Sequence, residues 1–216
     1  LVVEDDGLTV VDTGLPGMGP TILKAADEVG AAINRVILTH AHFDHVGALD
    51  ELSNLLPDVE FLFSPRTQRH LAGDLSLEAE EPQTALKGGF PQRTTRATRT
   101  IGPDDTVGSL RVLASPGHSP DHVAFFDERD GTLICGDAFQ TAAGVAVAGV
   151  VRPLFPLPAM GTWDLVLATQ SAERLVAAQP SRLAPGHGRV LNQPVQAMKR
   201  AVETAQRKVE RRSAAR

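Results

Sequence analysis

The chain is nearly free of cysteine and wholly free of tyrosine: one Cys and no Tyr in 216 residues. A lone thiol cannot build an internal disulfide framework, so nothing in the sequence calls for an oxidising compartment. Long apolar runs are missing as well. None approaches the ~20 residues that a membrane-spanning helix needs. Positive charge is not in excess, since 21 Lys and Arg stand against 26 Asp and Glu for a net charge of −5. That removes nucleic acid as the expected partner. A signal-peptide pattern is absent from the start, and no short-period repeat is visible. A cytoplasmic location and a small-molecule substrate are therefore expected, with no membrane partner and with homodimerisation left open. The chain opens directly on a strand with no initiator Met, so upstream strands are expected to be missing.

What is present is ordinary for a globular protein: 42% hydrophobic and 22% charged residues. The length suffices for one domain over 1–216. Leu1–Val3 and Leu8–Val11 flank a hairpin-type turn, Asp5-Asp6-Gly7. Helical pattern follows over Ile22–Val29, strand at Val36–Leu38, helix over Ala48–Leu55 and strand over Val59–Phe63. Strands are expected again at Thr106–Val107, Leu110–Leu113, Ala124–Phe126 and Thr132–Cys135. Helices are expected at Trp163–Ala178 and over about 193–212. Two halves, each a sheet followed by helices, fit an α/β fold with four αββα layers.

Residues 39–45 read Thr-His-Ala-His-Phe-Asp-His. His40, His42, Asp44 and His45 thus fall within six positions, just after the apolar run Val36-Ile37-Leu38. In an open α/β sheet, sites are built where strands end. The i, i+2 spacing of His40 with His42, and of His42 with Asp44, points side chains to one face of an extended segment. Core packing does not account for such a cluster, and crowding these protonatable groups without a cation is unfavourable. Imidazole nitrogen with carboxylate oxygen suits zinc and its first-row neighbours.

The same device recurs. His118 follows Pro116-Gly117 after Leu110–Leu113, and His187 follows Pro185-Gly186 after Ser181-Arg182-Leu183. Asp137 follows Gly136 after Thr132–Cys135. A Pro-Gly turn bends the backbone sharply and leaves the next side chain projecting from the strand end.

The order HxHxDH, His, Asp, His resembles the metallo-β-lactamase superfamily of metal-dependent hydrolases, from Val11-Asp12-Thr13-Gly14 to Gly186-His187-Gly188. Asp121 in Gly117-His118-Ser119-Pro120-Asp121-His122 stands where that family usually has Gly. The resemblance implies that His40, His42 and His118 hold one metal. It implies that Asp44, His45 and His187 hold a second, with Asp137 bridging both. Two Zn2+ are the implied cofactors, with Mn2+ or Fe2+ as substitutes. The implied reaction is attack of a metal-bridging hydroxide on a small ester, lactone or thioester carbonyl. Asp44 and Asp137 are the expected catalytic carboxylates, with Asp44 also handling a proton.

Asp12 and His122 are expected to support these ligands. His70, in a polar helix-like stretch, reads as an exposed histidine. Cys135 alternates to the same strand face as Asp137 but reads as a buried, inert thiol. Two segments interrupt the regular pattern, an irregular insertion over about 72–100 and an apolar loop over 141–163. Phe155, Met160 and Trp163 in that loop are candidates to wall an apolar acyl group. Lys199–Arg216 carries seven basic and two acidic residues, which reads as a solvated helix with cations near its C-terminus.

Within the resembled family, quorum-signal lactonases usually carry a Tyr near the metals, and this chain has none. Glyoxalase II-like thioesterases usually carry a substantial helical C-terminal domain, whereas 29 residues follow His187 (216 − 187). Two alternatives stand beside the hydrolase expectation. One is a persulfide dioxygenase-like oxidoreductase with one iron on two His and an Asp. The other is β-lactam hydrolysis.

Overall fold

The computed structural model describes residues 1–214. In the N-terminal half, β1 (Val2–Glu4) and β2 (Gly7–Val11) form the expected hairpin. Strands β3 (Ile33–Ile37), β4 (Glu60–Phe63) and β5 (Arg99–Thr100) then add in parallel, in the order β1-β2-β3-β4-β5. Parallel neighbours need crossovers. Helices α1 (Gly19–Val29), α2 (Leu49–Leu55) and α3 (Pro65–Leu71) lie in those crossovers.

The second sheet begins as an antiparallel meander of β6 (Thr106–Val107), β7 (Leu110–Ala114), β8 (Val123–Asp127) and β9 (Thr132–Gly136). A small hairpin, β10 (Phe139–Gln140) with β11 (Ala146–Val147), precedes α4 (Leu157–Met160) and α5 (Leu165–Ala177). Strand β12 (Arg182–Pro185) returns parallel to β9, β13 (Leu191–Asn192) closes the edge, and α6 (Val195–Ala214) follows.

Period-2 alternation assigns each strand residue to one of three apolar layers. In β3, Val36 packs outward and Ile37 inward; in β4, Phe61 and Phe63 pack outward and Leu62 inward. The inward residues meet Leu110, Val112, Val123 and Phe125 of the second sheet. The outward face of the first sheet is covered by Ala26 of α1, Leu49 and Leu52 of α2 and Leu71 of α3. On the far side, Ala124, Leu133 and Leu183 pack under Ala168, Ala172 and Leu175 of α5 and Met198, Ala201 and Ala205 of α6. Helix, sheet, sheet and helix therefore stack as four layers. Among the described residues, no helix is long and apolar enough to cross a membrane.

Several boundaries differ from the sequence pattern for identifiable reasons. The helix expected from Trp163 begins at Leu165 because Asp164 caps it, its carboxylate accepting from Leu167 N at 2.8 Å. The terminal helix begins at Val195, since Gln193 sits at a φ of 47° outside helical backbone. Residues 215 and 216 of the basic stretch lie outside the described residues. The irregular segment runs over 72–98, and its last residues enter the sheet as β5. The carboxyl ends of β3, β7, β9 and β12 all reach one edge of the sandwich. There the two sheets are tied by Val123 N donating to the Thr39 carbonyl at 2.9 Å.

Candidate metal centre

Each of those four strand ends delivers the side chains singled out in the sequence. His40, His42, Asp44 and His45 follow β3, His118 lies between β7 and β8, Asp137 follows β9, and His187 follows β12. Donor atoms converge in three groups: His40 with His42 and His118, His40 with His45 and Asp137, and Asp44 with His45 and His187. Within each group the atoms lie within 4.8 Å of one another. His187 Nε2 stands 3.3 Å from both Asp44 Oδ2 and Asp137 Oδ2.

The proton positions follow from the acceptors around the rings. Thr39 donates its hydroxyl to Asp12 (2.7 Å), so the 2.9 Å contact between Thr39 Oγ1 and His40 Nδ1 requires the imidazole to donate. His45 Nδ1 donates to Asp12 Oδ2 at 2.7 Å. His42 Nε2 donates to the Lys87 carbonyl at 3.0 Å. Thr162 donates to the Pro158 carbonyl at 2.7 Å, so His118 Nδ1 donates to Thr162 Oγ1 at 3.1 Å. All four rings thus hold an N–H outward and turn the second nitrogen inward, and in His40, His42 and His118 that nitrogen is bare. Metal-bound imidazoles are oriented in this way.

Two of those bare nitrogens, His42 Nδ1 and His118 Nε2, face each other at 3.0 Å. Two lone pairs at that separation repel unless a cation lies beside them. His40 Nε2, His45 Nε2 and Asp137 Oδ1 are buried and, among the described residues, have no hydrogen-bond partner. Buried polar atoms are rarely left so. On these grounds the residues fit a pair of first-row divalent cations: imidazoles on one side, imidazole and carboxylate on the other, and Asp137 between.

Charge divides along the same line. Burial pushes His40, His42 and His118 down, into the neutral form that ligates a metal. Burial also opposes charge on His45, but the Asp12 and Asp137 carboxylates outweigh it and raise that ring well above the ordinary range. Hydrogen bonds to Asp137 and Asp44 push His187 up to about 9. The Asp44 and Asp137 end of the cluster therefore demands positive charge.

The supporting residues stand where they were expected. Asp12, at a left-handed φ of 60°, accepts from Thr39 N as well as from Thr39 Oγ1 and His45. His122 lies outside the cluster. Its Nε2 accepts from Asp137 N at 3.1 Å and its Nδ1 donates to Ser115 Oγ at 2.8 Å, while burial lowers it to about 4. Gly136, at a φ of 47°, brings these parts together: a Cβ there would lie 2.8 Å from His122 Nε2 and 2.9 Å from the Thr39 side chain. That left-handed residue also ends the strand alternation before Asp137. Cys135 therefore faces the core under α5 and α6 rather than the site, and burial pushes its thiol up to about 12.

Other expectations are corrected. His70 is fully buried, not exposed. Within α3 it shares a face with Thr67, and both meet the buried carboxylate of Asp121. Asp121 Oδ2 accepts from Thr67 Oγ1 at 3.0 Å, Oδ1 from Ser119 Oγ at 2.7 Å, and His70 Nδ1 is 3.2 Å from Oδ1. Burial opposes the Asp121 charge, but the donors from His70 and Ser119 outweigh it and hold the carboxyl below its usual range. The clue was in the motif, because a carboxylate in place of Gly inside a buried loop needs a donor. Trp163 does not wall the cavity. Its indole Nε1 donates to the Thr84 carbonyl at 3.1 Å and its own N–H to the His118 carbonyl at 2.9 Å, which anchors it behind the site.

A cavity of about 320 Å3 opens over the cluster. His42, His118, Asp44, Asp137 and His187 contribute to it, and Met160 is on its wall as expected. Phe155 was expected to wall the cavity but does not line it; its ring lies beside His187, centroids 5.5 Å apart and tilted by 51°. The wall also contains residues the sequence pattern did not single out: Phe43, Leu157, Pro158 and the limb Gly88-Gly89. That limb is held by Phe43 N donating to the Gly89 carbonyl at 2.9 Å, and Phe90 packs edge-on against both His42 and His70.

The family model described as the metallo-beta-lactamase superfamily matches residues 1–187. The chain belongs to this superfamily. This superfamily member is similar to known proteins over most of its length. The uncharacterised protein YobT of Bacillus subtilis is 41% identical over 208 residues, 96% of this chain and 89% of that one. A hydroxyacylglutathione hydrolase of Xanthomonas euvesicatoria is 31% identical over 72% of this chain. The chain spans about half of that relative, 51% of its length. Among solved structures, TTHA1623 in a di-iron-bound form superposes with a TM-score of 0.66 at 28% identity, covering 91% of this chain and 90% of the other. The family match and the His/Asp cluster agree in describing a metal-binding scaffold of the metallo-β-lactamase superfamily.

Proposed function

We propose that the protein is a binuclear metal-dependent hydrolase acting on a small ester, lactone or thioester. The observation that carries this reading is the set of inward-facing bare nitrogens, above all His42 Nδ1 opposite His118 Nε2 at 3.0 Å, on the floor of an open cavity. His40, His42 and His118 would hold one ion; Asp44, His45 and His187 the other; Asp137 would serve both. When bound, two such cations supply Lewis acidity for a carbonyl oxygen and a water deprotonated near neutral pH.

The chain's own residues do the rest. Thr39, Lys87, Asp12 and Thr162 fix four imidazole tautomers before any ligand arrives, so no reorganisation is needed at the moment of reaction. Asp44 is half-buried and opens onto the cavity, which places its carboxylate to accept a proton from a nucleophile or return one to a leaving group. Hydrogen bonding with His187 and the charge of His45 keep Asp44 ionised against the effect of burial.

Elemental analysis of the purified protein, followed by turnover of a panel of esters, thioesters and lactones, tests the reading. About two first-row ions per chain and turnover of at least one substrate class are expected. One iron per chain with oxygen uptake and no hydrolysis would replace the hydrolase by mononuclear-iron oxidoreductase chemistry.

A further inference from the structure

We infer that the preferred substrate carries an uncharged, apolar acyl chain, selected by a wall formed of Phe43, Leu157, Pro158 and Met160. This rests on the hydrolase reading above and names the substrate class of the same cavity. Pro158 is buried, but the other three side chains are not core residues left half-covered. Met160 is 66% exposed, Leu157 63% and Phe43 50%, yet all three border the cavity over the metal ligands. They come from two unrelated places in the chain. Phe43 sits inside the histidine motif between two candidate ligands, and Leu157, Pro158 and Met160 belong to α4. Large apolar side chains exposed together beside a site mark a binding surface.

Charge on the wall points the same way. Among the described residues lining the cavity there is no lysine and no arginine; the ionisable groups are those of the candidate metal centre. A carboxylate carried at the far end of a substrate would lie against Phe43 and Met160 with no cationic partner, and burying such a group unpaired is unfavourable. A glutathione thioester carries two carboxylates on its leaving group, and the described lining of the cavity offers no lysine or arginine to meet them either. An alkyl chain in the same place would remove its own apolar surface and that of the wall from water.

The test uses the metal-loaded protein with p-nitrophenyl acetate, butyrate, hexanoate and octanoate, the p-nitrophenyl monoester of adipate, and S-lactoylglutathione. The kcat/KM value should rise about two- to fourfold per methylene, fourfold corresponding to full burial at ~0.8 kcal/mol per CH2. The adipate monoester should fall at least tenfold below the hexanoate. Met160→Glu should reduce the hexanoate-to-acetate ratio at least fivefold, acting through KM.

A binding arm covers a protein that turns over none of these esters. Calorimetric titration with butyrate, hexanoate, octanoate and adipate should give tighter binding with each added methylene and weaker binding for adipate than for hexanoate. A flat or falling chain-length series in turnover or in binding overturns the inference, as does a preference for adipate or for S-lactoylglutathione. Absence of all turnover with chain-length-dependent binding intact would overturn the hydrolase reading and leave the apolar wall standing.

Discussion

Gly88→Ala is a single added methyl group that should weaken one metal site and spare the other. Gly88 lies on the limb above His42 at a φ of 85°. A Cβ there would sit 2.5 Å from His42 Nε2 and within 2.9 Å of the adjoining ring carbons. His42 has little room to retreat, because its ring meets Phe90 edge-on at 4.6 Å between centroids and its Nδ1 meets His118. The limb must therefore lift. Lifting it removes the Lys87 carbonyl from His42 and the Gly89 carbonyl from Phe43 N, at about 1 kcal/mol for each hydrogen bond. Left-handed backbone adds about 1–2 kcal/mol for a residue with a Cβ. Once its Nε2 proton is unheld, the His42 ring no longer presents Nδ1 alone.

Loss of such an outer partner typically costs ten- to a hundredfold in metal affinity, or about 1.4–2.8 kcal/mol. Competition with a chromophoric chelator should then resolve two zinc affinities: one weakened by that factor, and one, from Asp44, His45 and His187, changed less than about threefold. Gly17→Ala is the control. Gly17 has a φ of 83° and nothing within 4 Å of an added Cβ, so it carries the backbone strain alone. If both variants lose the same stability and neither loses zinc affinity, the Lys87–His42 bond does not position a ligand and the reasoning fails.

Three further outcomes are expected. His118→Ala and Asp137→Ala should each lower bound metal, measured by elemental analysis, and abolish turnover while far-ultraviolet circular dichroism stays close to that of the parent protein; full activity in either variant would remove that residue from the site. Asp121→Asn removes the charge from the buried acceptor shared by Thr67 and Ser119, and a hydrogen bond to a charged group contributes about 1.5–3 kcal/mol. Because the folded carboxyl lies below the ordinary 3.8, its contribution is fully present above that pH and is lost as pH falls through the lower folded value. Denaturant unfolding should therefore show the gap between parent and variant narrowing below about pH 4, and a gap that is constant down to pH 2.5 would contradict the assignment. Cys135, buried with its thiol raised to about 12, should resist alkylation at pH 8 until the protein unfolds; rapid labelling of native protein would place it elsewhere.

The site was legible in the sequence to the extent that chemistry restricts residue type. Metal ligands come from a few residue types, so the His and Asp side chains at strand ends, His40, His42, Asp44, His45, His118, Asp137 and His187, stood out, and the structure brings all seven together. Strands were legible for a similar reason, since the alternation of Val36 with Ile37 and of Phe61 with Leu62 reflects two buried faces. What holds the ligands was less legible. The acceptor for His42 is a backbone carbonyl, and any residue at position 87 would supply one. The pairing of Asp121 with His70 and Thr67 joins segments up to 54 positions apart, so neither local pattern announces burial. Leu157 and Met160 read as loop because α4 is a single turn, too short for periodicity to register. Trp163 was misplaced because its neighbour Asp164 starts a helix and turns the indole toward Thr84.

The facing lone pairs of His42 and His118 bear on how the protein survives as well as on what it does. A fold that aims bare nitrogens at one another stores repulsion that a bound cation would relieve, so such a cation would act as a folding ligand. Stability then follows metal supply by mass action, with about 2.7 kcal/mol gained at a hundred times the dissociation constant and about 4.1 at a thousand. In metal-poor medium the same chain would melt earlier and be degraded faster, with no change in its sequence. Cellular abundance of this protein would in that way report the availability of the ion that its chemistry requires.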